Sequence, residues 1–200
     1  ECSFAIRHFK AQGGVNITAS HNPREYNGYK AYWDDGAQVL APHDKGIINQ
    51  VNQVKIEDVL FKGNKNLIEI IGEDVDKAYL NMVKTVCIDP DVIKRQHNLC
   101  IVYTPLHGAG RVIIPRSLQE WGFTNVHCVK EQMVKDGNFP TVDRPNPEIA
   151  EALTLGLRDA KALDADILMA SDPDADRVGM ACKDSNCEWI LINGNQTCLI

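Results

Sequence analysis

The apolar positions along the chain follow two periodicities that take turns. Phe4, Ala5, His8 and Phe9 line one face of a predicted helix over 3–12, which Gly13-Gly14 ends, and 15–18 reads as a short strand. A polar, aromatic-rich loop is expected over 20–35, then a helix over 44–54 and an irregular connection over 57–66 with a turn at Gly63-Asn64. Val75, Ala78, Tyr79, Met82, Val83 and Val86 form one apolar stripe and predict a stronger helix over 73–86. From Leu99 onward the pattern becomes strand, helix, strand, helix, strand. The continuous apolar run 99–103 is a strand, and the loop 104–110 leads into a helix that carries Ile114, Leu118 and Trp121 and is capped by Gly122. A strand is predicted over 125–129. Pro147 is expected to open the next helix, with Leu153, Leu157, Ala160 and Leu163 on its buried face. The strand 166–170 runs straight into an acidic loop, and 178–182 with 189–192 reads as a hairpin pair.

This alternation is the mark of an α/β fold: mixed, largely parallel sheets with flanking helices. Ligands of such sheets bind in loops at the carboxyl ends of the strands. Two loops stand there, His107-Gly108-Ala109-Gly110 and the acidic one beginning at Asp172.

Composition narrows the function classes. Apolar residues make up 44% of the 200, enough for a real core, and the net charge of −6 argues against a broad nucleic-acid surface. No run of about 18 apolar residues is present, so no membrane span or membrane partner is expected. The first residues carry neither a basic nor an apolar leader signature, and the seven cysteines show no Cys-x-x-Cys spacing. The expectation is a cytoplasmic protein with reduced thiols and no zinc site.

The acidic loop carries the sharpest chemistry. Asp172, Asp174 and Asp176 alternate in a compact turn, followed by Arg177. Three carboxylates so close repel one another and raise each other's pKa unless a cation sits between them. Oxygen-only donors favour Mg²⁺ or Ca²⁺. An EF-hand would need Gly and Glu where Arg177 and Lys183 stand, so that reading fails.

Other segments are individually ambiguous. In Thr18-Ala19-Ser20-His21-Asn22-Pro23 the serine could be a nucleophile, a phosphate carrier or only a turn or helix cap. Asn27-Gly28-Tyr29-Lys30 is a tight turn followed by a lysine that is solvated by default. The glycines after His107 would let backbone N–H groups approach an anion, and His107 itself could equally be a packed loop histidine.

Together these segments resemble the α-D-phosphohexomutases, the phosphoglucomutases and phosphomannomutases. Residues 18–23 are similar to that family's phosphoserine loop and 172–177 to its metal loop. The segments 104–110, 36–46, 131–133 and 136–140 are also similar, the last three to the phosphoglucomutase/phosphopentomutase branch. The resemblance implies a chain covering late domain 1 (1–72, with the phosphoserine loop), domain 2 (73–192, with the metal loop) and the start of domain 3 (193–200) of a four-domain enzyme. The sugar-reading loop of domain 3 and the phosphate-binding loop of domain 4 are not among these residues, so the chain is expected to be a fragment, inactive alone and needing domains 3 and 4.

The implied activity is phosphoryl transfer between C1 and C6 of a hexose phosphate, glucose 1-phosphate to glucose 6-phosphate first of all. It proceeds through phosphorylated Ser20 and a sugar bisphosphate, with glucose 1,6-bisphosphate as activator. Phosphomannomutase or phosphopentomutase specificity, or a non-catalytic sugar-phosphate-binding fragment, are the alternatives. The implied ligands of Mg²⁺ are Ser20, Asp172, Asp174 and Asp176. Lys30 and Arg177 would neutralise charge, with Lys30 favoured to take the proton from the attacking hydroxyl because lysine shifts its pKa more readily than arginine. His107, His21 and Asn22 are expected at the substrate, the last two chiefly shaping the loop. The separation of 152 residues between Ser20 and Asp172 suggests a site between two domains.

Overall fold

The computed structural model describes residues 1–199; Ile200, the end of the expected third segment, lies outside them. The chain forms two compact units. The first comprises Glu1–Ile17 and Tyr29–Thr85; the second comprises Thr18–Gly28 and everything from Val86 onward.

In the first unit α1 (Cys2–Phe9) packs on β1 (Gly13–Ile17) through the buried Ile6, which sits against Gly14. β1 pairs antiparallel with β2 (Tyr29–Trp33), in a register that sets Asn16 opposite Lys30. β2 falls inside the expected polar loop. Its strand character comes from pairing with β1, and local polarity does not report pairing. Two helices follow, α2 (His43–Val51) and α3 (Glu73–Lys84). α3 buries Leu80 and meets α1 through an edge-on contact of Phe4 with Tyr79.

From Val86 onward the second unit begins with the short helix α4 (Pro90–Arg95), which the apolar pattern does not reveal. Its signals are local: Asp89 accepts hydrogen bonds from the N–H groups of Asp91 and Val92, and Pro90 occupies the first turn. Next come β3 (Ile101–Thr104), α5 (Gly110–Trp121), β4 (Val126–Cys128) and α6 (Thr154–Ala162). Then follow β5 (Ile167–Ser171), β6 (Val178–Lys183), β7 (Trp189–Ile192) and α7 (Gly194–Thr197). Gly122 ends α5 in the left-handed conformation, as expected.

The five strands form one mixed sheet in the order β4-β3-β5-β6-β7, parallel across β4-β3-β5 and antiparallel across β5-β6-β7. Its core is built from Val102, Val129, Leu153, Ala160, Leu168 and Ala181, all fully buried. All four residues of β3 are buried, which explains why its sequence runs apolar without alternation. The chain leaves β3 toward β4 on one side and returns to β5 on the other. The carboxyl ends of β3 and β5 therefore flank a topological switch point, the position where open α/β sheets bind ligands.

Pro147 does not open a helix. It is buried, and its backbone carbonyl lies against Gly179 of β6, where any side chain would collide with it. Held this way, the segment stays irregular until a 3-10 turn over Ala150–Leu153 feeds α6. No helix among the described residues is long and apolar enough to cross a membrane, and all seven cysteines are free thiols.

Leu168 has no exposure in the core of the sheet. Leu168→Ala should lower the unfolding free energy by about 2–5 kcal/mol in a denaturant titration. Val112→Ala, on the exposed face of α5, should change it by less than about 0.5 kcal/mol.

Candidate active site

The serine loop is a closed excursion. The Thr18 N–H donates to the Gly28 carbonyl at its base (3.0 Å), and the Asn22 N–H donates to the Ala19 carbonyl at its tip (3.2 Å). Ser20 sits in the left-handed region, with φ of 56°. For a residue with a Cβ that conformation costs roughly 1–2 kcal/mol. The Thr18 hydroxyl helps to hold it by accepting the Ser20 N–H at 2.8 Å. The result aims the Ser20 hydroxyl at Asp172: Oγ donates to Oδ2 at 3.1 Å, and the same Oγ stands 3.1 Å from Nδ1 of His21.

Asp172 is fully buried at the end of β5. Its other oxygen, Oδ1, accepts the N–H groups of Asp176 (3.1 Å) and Arg177 (3.0 Å), so the acidic loop wraps around one carboxylate. Ala175 takes a left-handed φ of 59° to close that wrap. One oxygen from each of Asp172, Asp174 and Asp176 then lies within 4.8 Å of the others. Burial first, and the carboxyl groups of Asp174 and Asp176 next, push Asp172 up to about 7, against the opposing Arg177 N–H. His21 is pushed down, by burial foremost and then by the Arg177 guanidinium, with Asp176, Asp174 and Glu148 opposing. Three crowded oxygen donors with no thiolate or imidazole among them fit a hard divalent cation, which would relieve this repulsion.

Sequence models of one family cover most of the chain. The description "Phosphoglucomutase/phosphomannomutase, alpha/beta/alpha domain I" matches residues 1–57, and the corresponding domain II matches 77–185. The chain belongs to the phosphoglucomutase/phosphomannomutase family. It is 36% identical over 200 residues to the phosphopentomutase of Homo sapiens, covering 96% of this chain and 32% of that protein. It is 34% identical over 206 residues to a phosphoglucomutase of Staphylococcus saprophyticus, covering 100% of this chain and 37% of that protein. A solved structure from Thermus thermophilus bearing the phosphomannomutase name superposes with a TM-score of 0.73 at 28% identity, covering 90% of this chain and 39% of that one. The chain thus spans about a third of the length of the curated relatives it matches.

Within this family frame the serine loop lies in the domain I match, yet by contacts it joins the second unit, together with the acidic loop. By family match Ser20 thus lies in domain I and Asp172 in domain II, as the sequence separation suggests, while by contacts the serine loop and the acidic loop belong to one compact unit. Lys30 belongs to the first unit, half-buried in β2. The side chain of Asn22 is exposed, and its backbone closes the serine turn.

His107 is only 2% exposed, and both ring nitrogens are engaged. Nδ1 donates to the Val134 carbonyl and Nε2 meets the Thr141 hydroxyl, each at 2.8 Å. As placed, the two ring nitrogens hold the loop 134–141, an arrangement different from the substrate contact expected of them. The neighbouring backbone differs too from an anion cradle. The N–H groups of His107, Gly108 and Ala109 donate to the carbonyls of Gln132, Pro105 and Pro173. Gly108 is required because its Cα lies against the backbone of Pro173, within the acidic loop.

One residue in this scaffold is not singled out by the sequence. Gln132 is fully buried, accepting from the Thr104 hydroxyl through Oε1 (2.6 Å) and donating through Nε2 to Thr141 (3.0 Å). Every member of this network has a partner, the condition under which buried polar groups rigidify a core. Its visible signal is the segment 131–133, one of those that carry the family resemblance, and nothing in that segment marks the glutamine as buried. A cleft of about 680 Å³ opens beside this scaffold, between Pro23-Arg24-Glu25 and residues 138–144, and Ser20 and the aspartates do not line it.

With divalent ions chelated, Asp172→Asn should raise the melting temperature by roughly 2–4 °C, since the amide keeps the loop-closing acceptor and removes a crowded charge. The sign follows from the raised carboxyl. Between the ordinary carboxylate range and about 7 the folded wild type holds a proton that the unfolded chain lacks, so its stability falls as pH climbs through that window. The gap between variant and wild type should widen toward pH 7 in a thermal melt.

Proposed function

We propose that this chain is the phosphoryl-handling portion of a phosphosugar mutase, in which Ser20 carries the phosphoryl group that moves between two oxygens of a sugar phosphate. The reading rests on a single contact: the strained Ser20 hydroxyl, 3.1 Å from a buried aspartate at the switch point of the sheet. A hexose phosphate, with transfer between C1 and C6 of glucose, is the first candidate substrate. Relatives named for glucose and pentose make the sugar itself the open choice. Sugar reading and complete turnover are assigned to a longer protein, of which this chain is about a third by its relatives' length.

In the first half-reaction a sugar hydroxyl attacks the phosphorus on Ser20, the P–Oγ bond breaks, and the hydroxyl proton passes to a base, for which Lys30 is the candidate. In the second, the Ser20 Oγ gives up its proton toward Asp172 and attacks the other phosphate of the bisphosphorylated sugar, glucose 1,6-bisphosphate for a glucose substrate; the bond from that phosphorus to the sugar oxygen breaks, and the sugar oxygen takes up a proton returned by Lys30 to leave as a hydroxyl. The Oγ–H points at Asp172, so its proton already has an acceptor when the oxygen meets the incoming phosphorus. Asp172, Asp174 and Asp176, with the Ser20 oxygen, would hold Mg²⁺, which supplies Lewis-acid charge neutralisation to the transferring group. Arg177 offers a guanidinium next to the triad, suited to the charge that spreads over phosphoryl oxygens in transfer. His21 and Asn22 keep the serine turn in shape.

Incubation with glucose 1,6-bisphosphate and Mg²⁺ should add one acid-stable phosphoryl group, mapped by mass spectrometry to Ser20. Ser20→Ala should abolish the label and Asp174→Asn should slow it by on the order of 10²-fold. An acid-labile acyl phosphate on Asp172, or a label that survives in Ser20→Ala, overturns the reading.

A further inference from the structure

Two Asn-Gly pairs stand in the chain, at 27–28 and 193–194, and the fold holds them differently. Asparagine is chemically labile in water, and most so before glycine. With no Cβ on the following residue to shield it, the backbone nitrogen can close on the asparagine Cγ and expel the side-chain amide as ammonia. Local structure sets the rate by where it holds the carboxamide.

Asn27 ends the serine loop. The turn before it closes at Tyr26, whose N–H donates to the Pro23 carbonyl at 3.0 Å. Asn27 and Gly28 are both exposed. The one hydrogen bond that the structure gives the Asn27 side chain goes to its own neighbour: Oδ1 accepts the Gly28 N–H at 2.8 Å. The carboxamide is thereby folded onto the nitrogen that would attack it. A side chain built on Gly28 would meet only the Thr18 carbonyl, at 3.5 Å, so this peptide has room to turn. Asn193 is held the opposite way. It caps α7, with Oδ1 taking the Gln196 N–H at 2.9 Å and its own N–H donated to Oε1 of Gln196 at 3.0 Å. Its carbonyl accepts the Thr197 N–H as well, at 2.9 Å. The Asn193 carboxamide is committed to the third residue of the helix, and that cap must open before a ring with Gly194 can form.

We propose that Asn27 is a spontaneous modification site: in the folded chain it converts through a cyclic imide with Gly28 to aspartate and isoaspartate, loosening the base of the serine loop, while the capped Asn193 is spared. The Gly28 nitrogen gives its proton to water and bonds to Cγ. The bond from Cγ to the amide nitrogen breaks, and ammonia leaves with a proton taken from water. A further water opens the ring at either carbonyl. Opening at the backbone carbonyl routes the main chain through Cγ and lengthens it by one carbon. Either product sets a carboxylate beside Gly28, whose carbonyl holds the Thr18 N–H at 3.0 Å where the serine loop closes. No step involves Ser20 or a metal, so the inference stands apart from the proposed function.

Ageing the chain in mildly alkaline buffer, with and without urea, tests this by peptide mass mapping. In the folded chain Asn27 should gain the mass of an amide-to-acid exchange roughly tenfold faster than Asn193, the order of stabilisation that a side-chain cap confers. In the urea-unfolded chain the two sites should react at similar rates. Gly28→Ala, which the open space admits, should slow the loss at Asn27 and leave Asn193 unchanged. In the isoaspartate fraction, separated by ion exchange, the Thr18 amide should exchange with solvent faster than in the unmodified chain. Equal rates at the two sites in the folded chain, or a ratio that unfolding leaves unchanged, overturns the inference. So does a Gly28→Ala chain that loses the Asn27 amide as fast as the wild type, or Thr18 exchange that is the same in modified and unmodified chains.

Discussion

A carboxylate buried at the end of a parallel strand holds this site together. Asp172 has no solvent exposure, yet both of its oxygens are engaged, one by the backbone of its own loop and one by the hydroxyl of Ser20. A buried charge is strongly unfavourable unless it is well partnered. Here the partners are the features that define the site. The loop must wrap for two N–H groups to reach Oδ1. That wrap brings Asp174 and Asp176 alongside, and their charge raises the Asp172 carboxyl further. A cation placed among these oxygens would relieve the mismatch.

The rest of the second unit serves to keep that carboxylate in place. The crossing from β4 back over β3 to β5 puts the loops after β3 and β5 side by side. Their contact is backbone on backbone, Gly108 against Pro173, with the Ala109 N–H donated to the Pro173 carbonyl at 2.8 Å. Behind it, Thr104, Gln132, Thr141 and His107 form a buried chain of hydrogen bonds with no loose end. Residues suited by type to touch a ligand thereby act one layer further back, as rigid support. Under the proposed function such support would matter, because phosphoryl transfer depends chiefly on positioning and charge.

The gathering of the three aspartates was legible in the sequence where parts of the scaffold were not. Three aspartates at alternate positions after an apolar strand carry their meaning in spacing alone, because like charges in a tight turn need a counterion whatever the fold. The sheet strands from Ile101 onward were legible for a similar reason: full burial leaves continuous apolar runs. β2 was not, since its strand character exists only through its partner β1. Pro147 shows the opposite failure. It is a sound helix-start signal by itself, overridden by a tertiary contact with Gly179. His107 marks the limit of reading a side chain without its surroundings, for nothing in its spacing says that its ring turns to Val134 and Thr141. The burial of Gln132 was out of reach because it depends on a partner distant in sequence, Thr104.

The most direct measurement is a crystal structure with Mn²⁺ bound, located by anomalous scattering. One ion is expected, held by the Ser20 oxygen and one oxygen from each of Asp172, Asp174 and Asp176, at octahedral hard-cation distances of about 2.1 Å. An ion bound elsewhere, or bound by the aspartates with the Ser20 hydroxyl turned away from it, would contradict a site built on the Ser20–Asp172 contact.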